Sequence, residues 1–408
     1  MQKTQLASLS SVAVVMVLGN SMLIPVLPSI RRAFDWTQVE VGLIITAFSL
    51  AAGVTIPVAG YLSDRFGRKV VILAALILYG ISGSIAGLVP SFFSQPLMPL
   101  LMARICQGIG AGGTYQIAMA LTGDLFQTKE RRAALGYLES ANAGGKVIAP
   151  LVGAGLGMVN YRAPFFLYGL SALGAAVAVK KAIHKPQVQP QDKSFGSYWS
   201  GLMNIVRSKA LSMSLCFLAG AVVLFLYFGI LSHLSDLFER EHHITGILLG
   251  LVIAVPVLGM ALTSFFSGRW LMGHPARSLR LAAGTGLSLA ATGLVGAYFL
   301  HAPIFLLGSI VVMSVGNGLV LPSLNSLVTG AAAASERGMV TSLYGTVRHA
   351  GAAGGPPLFG LMVSSQGTTA FALAAALAAV TSAGIFLLVR EEQMLVEGKN
   401  HQPRREQS

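Results

Sequence analysis

Long apolar runs alternate with short polar segments along the whole chain. A helix that crosses the hydrocarbon core of a bilayer needs about 20 mostly apolar residues, and each run is about that long. The pattern therefore predicts twelve membrane-spanning helices. The predicted spans cover residues 7–28, 39–62, 70–89, 98–122, 133–157, 163–181, 210–232, 244–267, 279–300, 304–328, 338–362 and 369–389.

A polar stretch rich in Pro and Gln separates the sixth run from the seventh. It predicts a linker between two six-helix halves. We expect an N-terminal bundle over 1–181, a cytoplasmic linker over 182–209, a C-terminal bundle over 210–390 and a tail over 391–408. The tail is charged and is expected to be disordered.

The two halves resemble each other in sequence. Three short features recur in the second half at an offset of 206 to 208 residues, which indicates an internal duplication. The pairs are Glu130-Arg131 with Glu336-Arg337, Pro150 with Pro356, and Gly108-x-Gly110 with Gly316-x-Gly318.

Composition agrees with a membrane protein. Of the 408 residues, 54% are hydrophobic and only 11% are charged, whereas soluble proteins carry about 25% charged residues. Lys and Arg accumulate in cytoplasmic loops, so their positions predict the orientation. With the N-terminus inside, 21 of the 28 Lys and Arg lie inside, four lie outside and three lie within spans. We therefore expect a multi-pass protein of the cell membrane with both termini in the cytoplasm.

The net charge of +13 is explained by this orientation, and the basic residues form no run of the kind that binds nucleic acid. The two cysteines, Cys106 and Cys216, lie in apolar runs without the spacing of a metal site. We expect no disulfide, metal or nucleic-acid partner. The first apolar run is long and lacks a cleavage pattern, so no cleavable signal peptide is predicted.

The loop after the second predicted span carries the most specific motif. It reads Gly60-Tyr-Leu-Ser-Asp64-Arg65-Phe-Gly67-Arg68-Lys69. This resembles the G-x-L-x-D-R-x-G-R-K loop of the major facilitator superfamily of secondary transporters. The resemblance implies an all-α polytopic fold of twelve transmembrane helices in two pseudo-symmetric six-helix bundles. It also implies a conformational latch at Gly60, Asp64, Arg65, Gly67 and Arg68; the alternative is a solvated turn.

Two further spans carry patterns of this superfamily. The fourth contains Arg104-Ile-Cys-Gln107-Gly108-Ile-Gly110-Ala111, which resembles the R-x-x-Q-G-x-G-A pattern. The fifth contains Gly145, Pro150 and Gly153 in a segment that is similar to the G-x-x-x-G-P-x-x-G-G pattern of antiporters. Ala149 and Ala154 replace glycines of that pattern, and both stay small enough for close helix packing.

Glu139, Asn142 and Lys146 lie on one face of the fifth span, because their spacing is that of successive helical turns. An acid and a base within a span are expected to face protein or water. Glu139 is the only carboxylate that we place well inside a span, so we predict that it gains and loses the proton. The alternative is a static ion pair.

Arg104 cannot carry the proton, since arginine stays charged, but it is predicted to tune a nearby acid or to hold a polar group. The alternative is that its side chain reaches the outer headgroups. Pro25 is expected to kink or weaken the first span. Asn20 in that span either lines a cavity or bonds a neighbouring helix.

Arg348 lies one repeat offset from Asn142 and is predicted to face the same cavity, next to His349. His233 and Asp236 are expected at the outer rim. The residues predicted to line the substrate cavity are Asn20, Asn142, Lys146, Arg348, Tyr115, Phe225 and Tyr344.

The resemblance implies export of lipophilic or amphipathic drugs in exchange for protons, as in the multidrug efflux branch. We expect a monomer in membrane lipid that uses the proton gradient and no cofactor. The alternative is a proton-coupled carrier of a small organic anion or another metabolite in the same fold, for example for uptake, with Arg104, Lys146 and Arg348 as the ligands of an anion. No nucleophile–base pair, metal constellation or phosphate loop supports an enzyme; a receptor without flux is a further alternative.

Overall fold

The computed structural model describes residues 2–126, 128–183, 210–271, 274–331, 337–390 and 394. Among them are fourteen α-helices and no strand. The helices are α1 (Gln2–Ser21), α2 (Leu27–Phe34), α3 (Gln38–Phe66), α4 (Arg68–Phe92), α5 (Leu97–Gly112), α6 (Tyr115–Leu125), α7 (Thr128–Val159), α8 (Ala163–Ala182), α9 (Ala210–His242), α10 (Gly246–Trp270), α11 (Ala276–Phe299), α12 (Pro303–Gly330), α13 (Arg337–Gln366) and α14 (Thr369–Leu388).

These helices form the twelve predicted spans. The first span is α1 and α2 joined by a 3₁₀ turn at Ile24–Val26, the fourth is α5 and α6, and every other span is one helix. Nine spans are long and apolar enough to cross a membrane by length and composition. The fourth, fifth and eleventh are not among these nine. Most of the predicted linker and tail lies outside the described residues.

The predicted boundary that lies furthest from the structure is the end of the seventh span, and this difference matters for function. The seventh span does not end at residue 232 but continues as α9 to His242. Asp236 and Glu239 therefore lie within the helix, and both are buried, with 7% and 6% of their surface exposed. Glu139 is consequently not the only carboxylate inside a span.

The first span breaks where the sequence predicts a kink. Pro25 has no N–H to continue the helical pattern, and the backbone tightens just before it. The N–H of Leu23 donates to Asn20 at 3.1 Å, one residue short of the helical partner Gly19. The carbonyl of Gly19 is thus free to accept a bond from another helix.

The helix ends define two faces of the bundle. The basic face carries Arg65, Arg68, Lys69, Lys180, Lys181 and Arg269, and the opposite face carries Arg31, Arg32, Arg162 and Arg240. The basic face is the one that the charge distribution predicts to be cytoplasmic.

The two halves meet through helices that the internal repeat relates to each other. The second span packs on the eleventh, and the fifth packs on the eighth. Gly42 of α3 lies against Pro356 and Pro357 of α13, and Gly250 of α10 lies against Pro150 of α7. The same glycine–proline contact therefore occurs twice, once in each direction, as twofold pseudosymmetry requires.

Contacts between the halves concentrate toward the opposite face. Thr46 donates to the carbonyl of Ala353 at 2.6 Å, and Thr346 donates to the carbonyl of Gly53, at the middle of α3, at 2.7 Å. Toward the basic face, Glu139 of one half and Asn325 of the other are exposed. In the space between the halves, hydrogen bonds therefore join the two halves toward the opposite face, and polar side chains are exposed toward the basic face.

Candidate functional site

Five ionisable or polar residues from three spans meet in this space. Tyr115 lies within electrostatic range of Glu139 and Arg348, Lys146 within range of Glu139 and Arg348, and His349 within range of Arg348 and Lys146. We call this group the cavity cluster. It includes residues of the fourth and fifth spans of the first half and of the eleventh span of the second half.

The cavity cluster holds buried polar atoms without partners among the described residues. These atoms are Nε of Arg348 and Nδ1 of His349. A buried polar group without a hydrogen bond costs about 1–3 kcal/mol, so such atoms mark a place where water or a ligand binds. Arg348 also lies over the ring of Tyr344 at 5.3 Å and reaches Asn325 at 3.5 Å.

The other residues predicted to line the cavity are distributed differently. Phe225 is partly exposed, whereas Tyr344 is buried beneath Arg348. Asn142 is buried and donates to the carbonyl of Ala13 at 3.3 Å. Asn20 is also buried and donates to Ser49 at 2.9 Å, which favours the helix-bonding alternative for this residue.

Arg104 is fully buried at the centre of the first half. Its guanidinium donates to the carbonyls of Gly19 and Ile44, each at 3.1 Å, and to the side chains of Asn20 at 2.7 Å and Gln107 at 2.6 Å. The ring of Phe48 lies 4.4 Å from the guanidinium carbon. The alternative that Arg104 reaches the outer headgroups is therefore wrong.

The four hydrogen-bond partners of Arg104 are all neutral. One of them, the carbonyl of Gly19, has lost its helical partner because the first span breaks after Ser21. Arg104 thus holds the first, second and fourth spans together around the break. Its predicted role in proton coupling stays a prediction.

The fifth span approaches the same break from the other side. A methyl group at Gly153 would overlap the carbonyl oxygen of Met22, so only glycine allows this approach. Gly145 lies beside Val14 of α1, and Ala154 contacts Gly250 of α10. The antiporter-like segment, with Pro150 within α7, therefore packs on both the first span and the eighth.

The predicted latch is a one-residue turn. Helix α3 ends at Phe66 and α4 begins at Arg68, with Gly67 between them at a φ of 94°, which favours glycine. Arg68 binds Asp124 at 2.5 Å and lies 3.8 Å from Asp64. Asp124, at the end of the fourth span, was not predicted, because nothing in the sequence relates it to the loop.

The other residues of this loop bond nearby. Arg65 is exposed and donates to the hydroxyl of Tyr61 at 3.3 Å, and Gly60 accepts a bond from Ser63 at 2.7 Å. Lys69 donates to the carbonyl of Lys180, at the end of the sixth span, at 3.1 Å. The loop therefore ties the second, third, fourth and sixth spans of the first half together at the basic face.

A second charged group lies at the opposite face and was also missed. Arg31 of α2 lies 3.2 Å from Asp236 of α9, and Arg32 forms an ion pair with Glu239. His233 is buried between Phe359 and Phe371, with ring centroids 5.7 and 5.8 Å away. The sequence suggested a rim position for His233 and Asp236 but gave no sign of the arginines that Asp236 and Glu239 meet.

No group of three or more His, Cys, Asp or Glu side chains capable of holding a metal occurs in the part of the chain that the structure describes. The polar groups of the cavity cluster suit reversible binding of a charged molecule or a proton.

Comparisons with known proteins agree with this geometry. Residues 9–271 and 216–407 match the family model described as Major Facilitator Superfamily. The bacillibactin exporter of Bacillus subtilis (strain 168) is 33% identical over 395 residues, which are 96% of this chain and 98% of the relative. Multidrug resistance protein 1 of the same organism is 28% identical over 215 residues, 53% of this chain and 52% of that protein.

A solved structure shares the fold at a TM-score of 0.75 and 17% identity, covering 95% of this chain and 96% of its own. It is a bacterial homolog of the human lysosomal transporter Spinster, described as inward-facing and occupied.

Proposed function

The chain belongs to the major facilitator superfamily, and we propose that it exports small amphipathic molecules from the cell in exchange for protons. It is a membrane transporter and not an enzyme, as members of the family are. The relatives that match most of the chain or half of it are named as exporters or resistance proteins, which supports the direction of transport.

The placement of Glu139 is the observation on which the proposal rests. Its carboxylate is exposed in the space between the halves, beside Tyr115 and within range of Lys146. A carboxylate within a span costs free energy unless it is paired or hydrated, so its presence there indicates a role. From this position Glu139 exchanges protons with whichever side the cavity faces.

The cycle follows from alternating access around this cluster. With the basic face in the cytoplasm, the described conformation is inward-open and takes substrate from the cell. Substrate binding releases the proton from Glu139, the halves rock, and substrate leaves outward. A proton from outside then returns Glu139 to its neutral form. The latch residues Asp64 and Arg68 set the balance between the two states.

The test uses a fluorescent lipophilic dye as the substrate probe. We expect dye efflux from cells to collapse with an uncoupler, and dye binding to the solubilised protein to release protons. Glu139→Gln should bind dye without releasing protons. Asp35→Asn is the matched control, since Asp35 is exposed at the opposite face in a left-handed conformation that Asn also adopts. Equal proton release by Glu139→Gln and wild type contradicts the role of Glu139.

An organic acid is the second candidate substrate, and the cavity cluster supports it. Lys146, Arg348 and His349 share the cavity cluster with Glu139, and Arg348 and His349 have buried nitrogens without partners among the described residues. Arg104, expected among the anion ligands, is already bonded to four neutral groups and belongs to the packed interior. Of the three expected anion ligands, Lys146 and Arg348 therefore remain.

The sign of proton exchange separates the two candidates. An anion bound beside Glu139 favours its protonation, so an aromatic carboxylate such as salicylate should cause proton uptake by the solubilised protein. A dye that replaces the proton on Glu139 should cause release. Salicylate binding that is lost in Arg348→Gln, with no response to the dye, would favour the organic acid.

A further inference from the structure

The two contacts between the halves differ in how far they extend toward the basic face. The contact between the second and eleventh spans continues beyond the middle of α3. There Thr346 donates to the carbonyl of Gly53 at 2.7 Å, and a Cβ added at Gly345 would lie 3.4 Å from the side chain of Ile56. These residues hold α3 and α13 together well into the half of the protein nearer the basic face.

The contact between the fifth and eighth spans stops sooner. Gly246 of α10 lies against Met158 of α7, and Gly250 lies against Pro150. All four residues belong to the half of their helix that is nearer the opposite face. Closer to the basic face, a Cβ added at Gly136 of α7 would meet nothing within 4 Å.

The internal repeat identifies the residues that would continue this shorter contact. The offset of 206 between α7 and α13 relates Ser140 to Thr346, and the offset of 208 between α3 and α10 relates Ala261 to Gly53. Ser140 is nevertheless exposed, and its hydroxyl donates to the carbonyl of Gly136 in its own helix at 2.8 Å. Ala261 is only partly buried. A groove therefore separates α7 from α10 toward the basic face, and we call it the lateral groove.

The α10 side of the lateral groove carries aromatic rings and an arginine. Phe265 and Phe266 are 43% and 65% exposed, and their ring centroids lie 5.5 Å apart. Arg269 is exposed, with its guanidinium carbon 5.0 Å from the centroid of the Phe265 ring. Arg269 has no carboxylate partner among the described residues.

The first half shows that the fold does not require these side chains. The offset of 208 places Pro57, Val58 and Tyr61 of α3 where α10 has Phe265, Phe266 and Arg269. An exposed ring pair and an arginine therefore occur only in the half where the helices separate. This coincidence indicates that the lateral groove has an occupant.

The chemistry of the lateral groove matches a phospholipid. Arg269 lies one residue before the end of α10 at the basic face, which is at the level of the headgroups when this face is cytoplasmic. Anionic lipids of the cytoplasmic leaflet attract Lys and Arg near the membrane surface. Deeper in the bilayer, Phe265 and Ala261 offer an apolar wall to an acyl chain.

We propose that the lateral groove binds one anionic phospholipid of the cytoplasmic leaflet, with its phosphate on Arg269 and an acyl chain between α7 and α10. The chain acts as a wedge, because Ser140 and Ala261 cannot approach each other while it is present. Closure of the basic face during transport brings the two helices together, so the lipid leaves the groove at that step. Anionic lipid therefore favours the conformation in this structure. The lipid site does not depend on which candidate substrate is transported.

The first experiment measures lipid binding to the solubilised full-length protein by native mass spectrometry. The probes are phosphatidylglycerol and phosphatidylcholine with identical acyl chains, and we expect tighter binding of phosphatidylglycerol. Arg269→Gln should weaken that binding about fivefold, the effect of removing one arginine from an anionic membrane surface. Arg269→Lys keeps the charge and should stay within about twofold of wild type. Lys181→Gln, which removes an exposed charge of the same face in the other half, is the matched control and should bind as wild type does.

The second experiment measures closure of the lateral groove. Ser140→Cys with Ala261→Cys is introduced after Cys106 and Cys216 have been replaced by serine and alanine, and the rate of disulfide formation is followed. The protein is placed in nanodiscs of phosphatidylcholine alone or of phosphatidylcholine and phosphatidylglycerol in equal parts. Phosphatidylglycerol should slow the crosslink about threefold, as a ligand at twice its dissociation constant does when it binds one state only. Arg269→Gln should abolish this slowing.

Three results would overturn the proposal. Equal affinity for the two lipids, or the same loss of affinity in Lys181→Gln as in Arg269→Gln, would mean that the groove does not select an anionic lipid. Equal crosslinking rates in the two kinds of nanodisc would mean that the lipid is no wedge. Slower crosslinking caused by a lipophilic dye, with no effect of phosphatidylglycerol, would assign the groove to the substrate instead.

Discussion

At the scale of single residues, charge has two different uses in this protein. Glu139, Lys146 and Arg348 lie in the space between the halves, where they belong to the cavity cluster. Arg104 is buried and donates hydrogen bonds to four neutral oxygens, two of them backbone carbonyls. Its charge therefore holds neighbouring helices together and forms no ion pair with a described carboxylate. The sequence identified all four as unusual within spans, but it could not separate the two uses.

Arg104→Lys should show that Arg104 has a structural role. Lysine keeps the charge but cannot reach two carbonyls and two side chains in the planar arrangement of a guanidinium. We expect a loss of about 3 kcal/mol in the free energy of unfolding, measured by thermal unfolding in detergent. Arg162→Lys, at an exposed position, is the control and should stay within about 0.5 kcal/mol of wild type. Equal stability of Arg104→Lys and wild type would show that the four bonds do not stabilise the fold.

The latch gives a second prediction at this scale. Arg68 lies closer to Asp124 than to Asp64, at 2.5 Å against 3.8 Å. We therefore expect Asp124→Asn to lower the initial rate of dye efflux more than Asp64→Asn does. The rates are compared at equal amounts of protein in the membrane. A larger defect in Asp64→Asn would mean that Asp64 acts mainly in another conformation.

At the scale of helices, the sequence predicted the spans well and their interruptions only in part. Pro25 predicted the break in the first span, because proline has no N–H to donate to the backbone hydrogen bonds of a helix. Nothing comparable marked the end of α5 at Gly112 or the continuation of α9 to His242. The apolar run ends near residue 232, and the last turns of α9 are held by ion pairs to α2, which are invisible in a hydropathy pattern.

The same limit applies to the candidate site. The face shared by Glu139 and Lys146 follows from helical periodicity, and Arg348 follows from the repeat. Asp124 and Glu239 acquire partners 56 and 207 residues away in sequence, which only the packing of helices brings together. Distant polar pairs of this kind cannot be found from one sequence.

Glycine packing gives a prediction at the helix scale. Gly153→Val should disrupt the contact between α7 and the broken first span, since its side chain would overlap the carbonyl of Met22. Gly155→Val is the matched control two residues later, where a side chain meets open space. We expect Gly153→Val to lose at least about 2 kcal/mol of stability and Gly155→Val to lose little, by thermal unfolding in detergent. Equal losses of stability in the two variants would mean that valine lowers stability by itself, and not through overlap with the carbonyl of Met22.

At the scale of the whole molecule, the pseudosymmetry places equivalent contacts at two sites between the halves, so that the effects of equivalent substitutions can be compared. Gly42 and Gly250 occupy equivalent places where the halves touch, and each packs on prolines of the other half. Gly42→Leu and Gly250→Leu should therefore both hinder closure of the opposite face. We expect longer distances between spin labels at Phe93 and His301 in both variants, and no change in Gly144→Leu, where nothing lies within 4 Å of an added Cβ. If the distances lengthened in only one of the two variants Gly42→Leu and Gly250→Leu, the two interfaces between the halves would open unequally.

The fourth, fifth and eleventh spans, which are not among the nine in the described part of the chain that are long and apolar enough to cross a membrane, also have a consequence for biosynthesis. The fourth is divided by its break, and the fifth and eleventh carry the charges of the cavity cluster. Helices of this kind partition poorly into lipid as they leave the ribosome, whereas their neighbours partition readily. Their insertion should therefore wait until a later, more apolar segment has been made, so that the order of synthesis helps to place the helices that transport depends on.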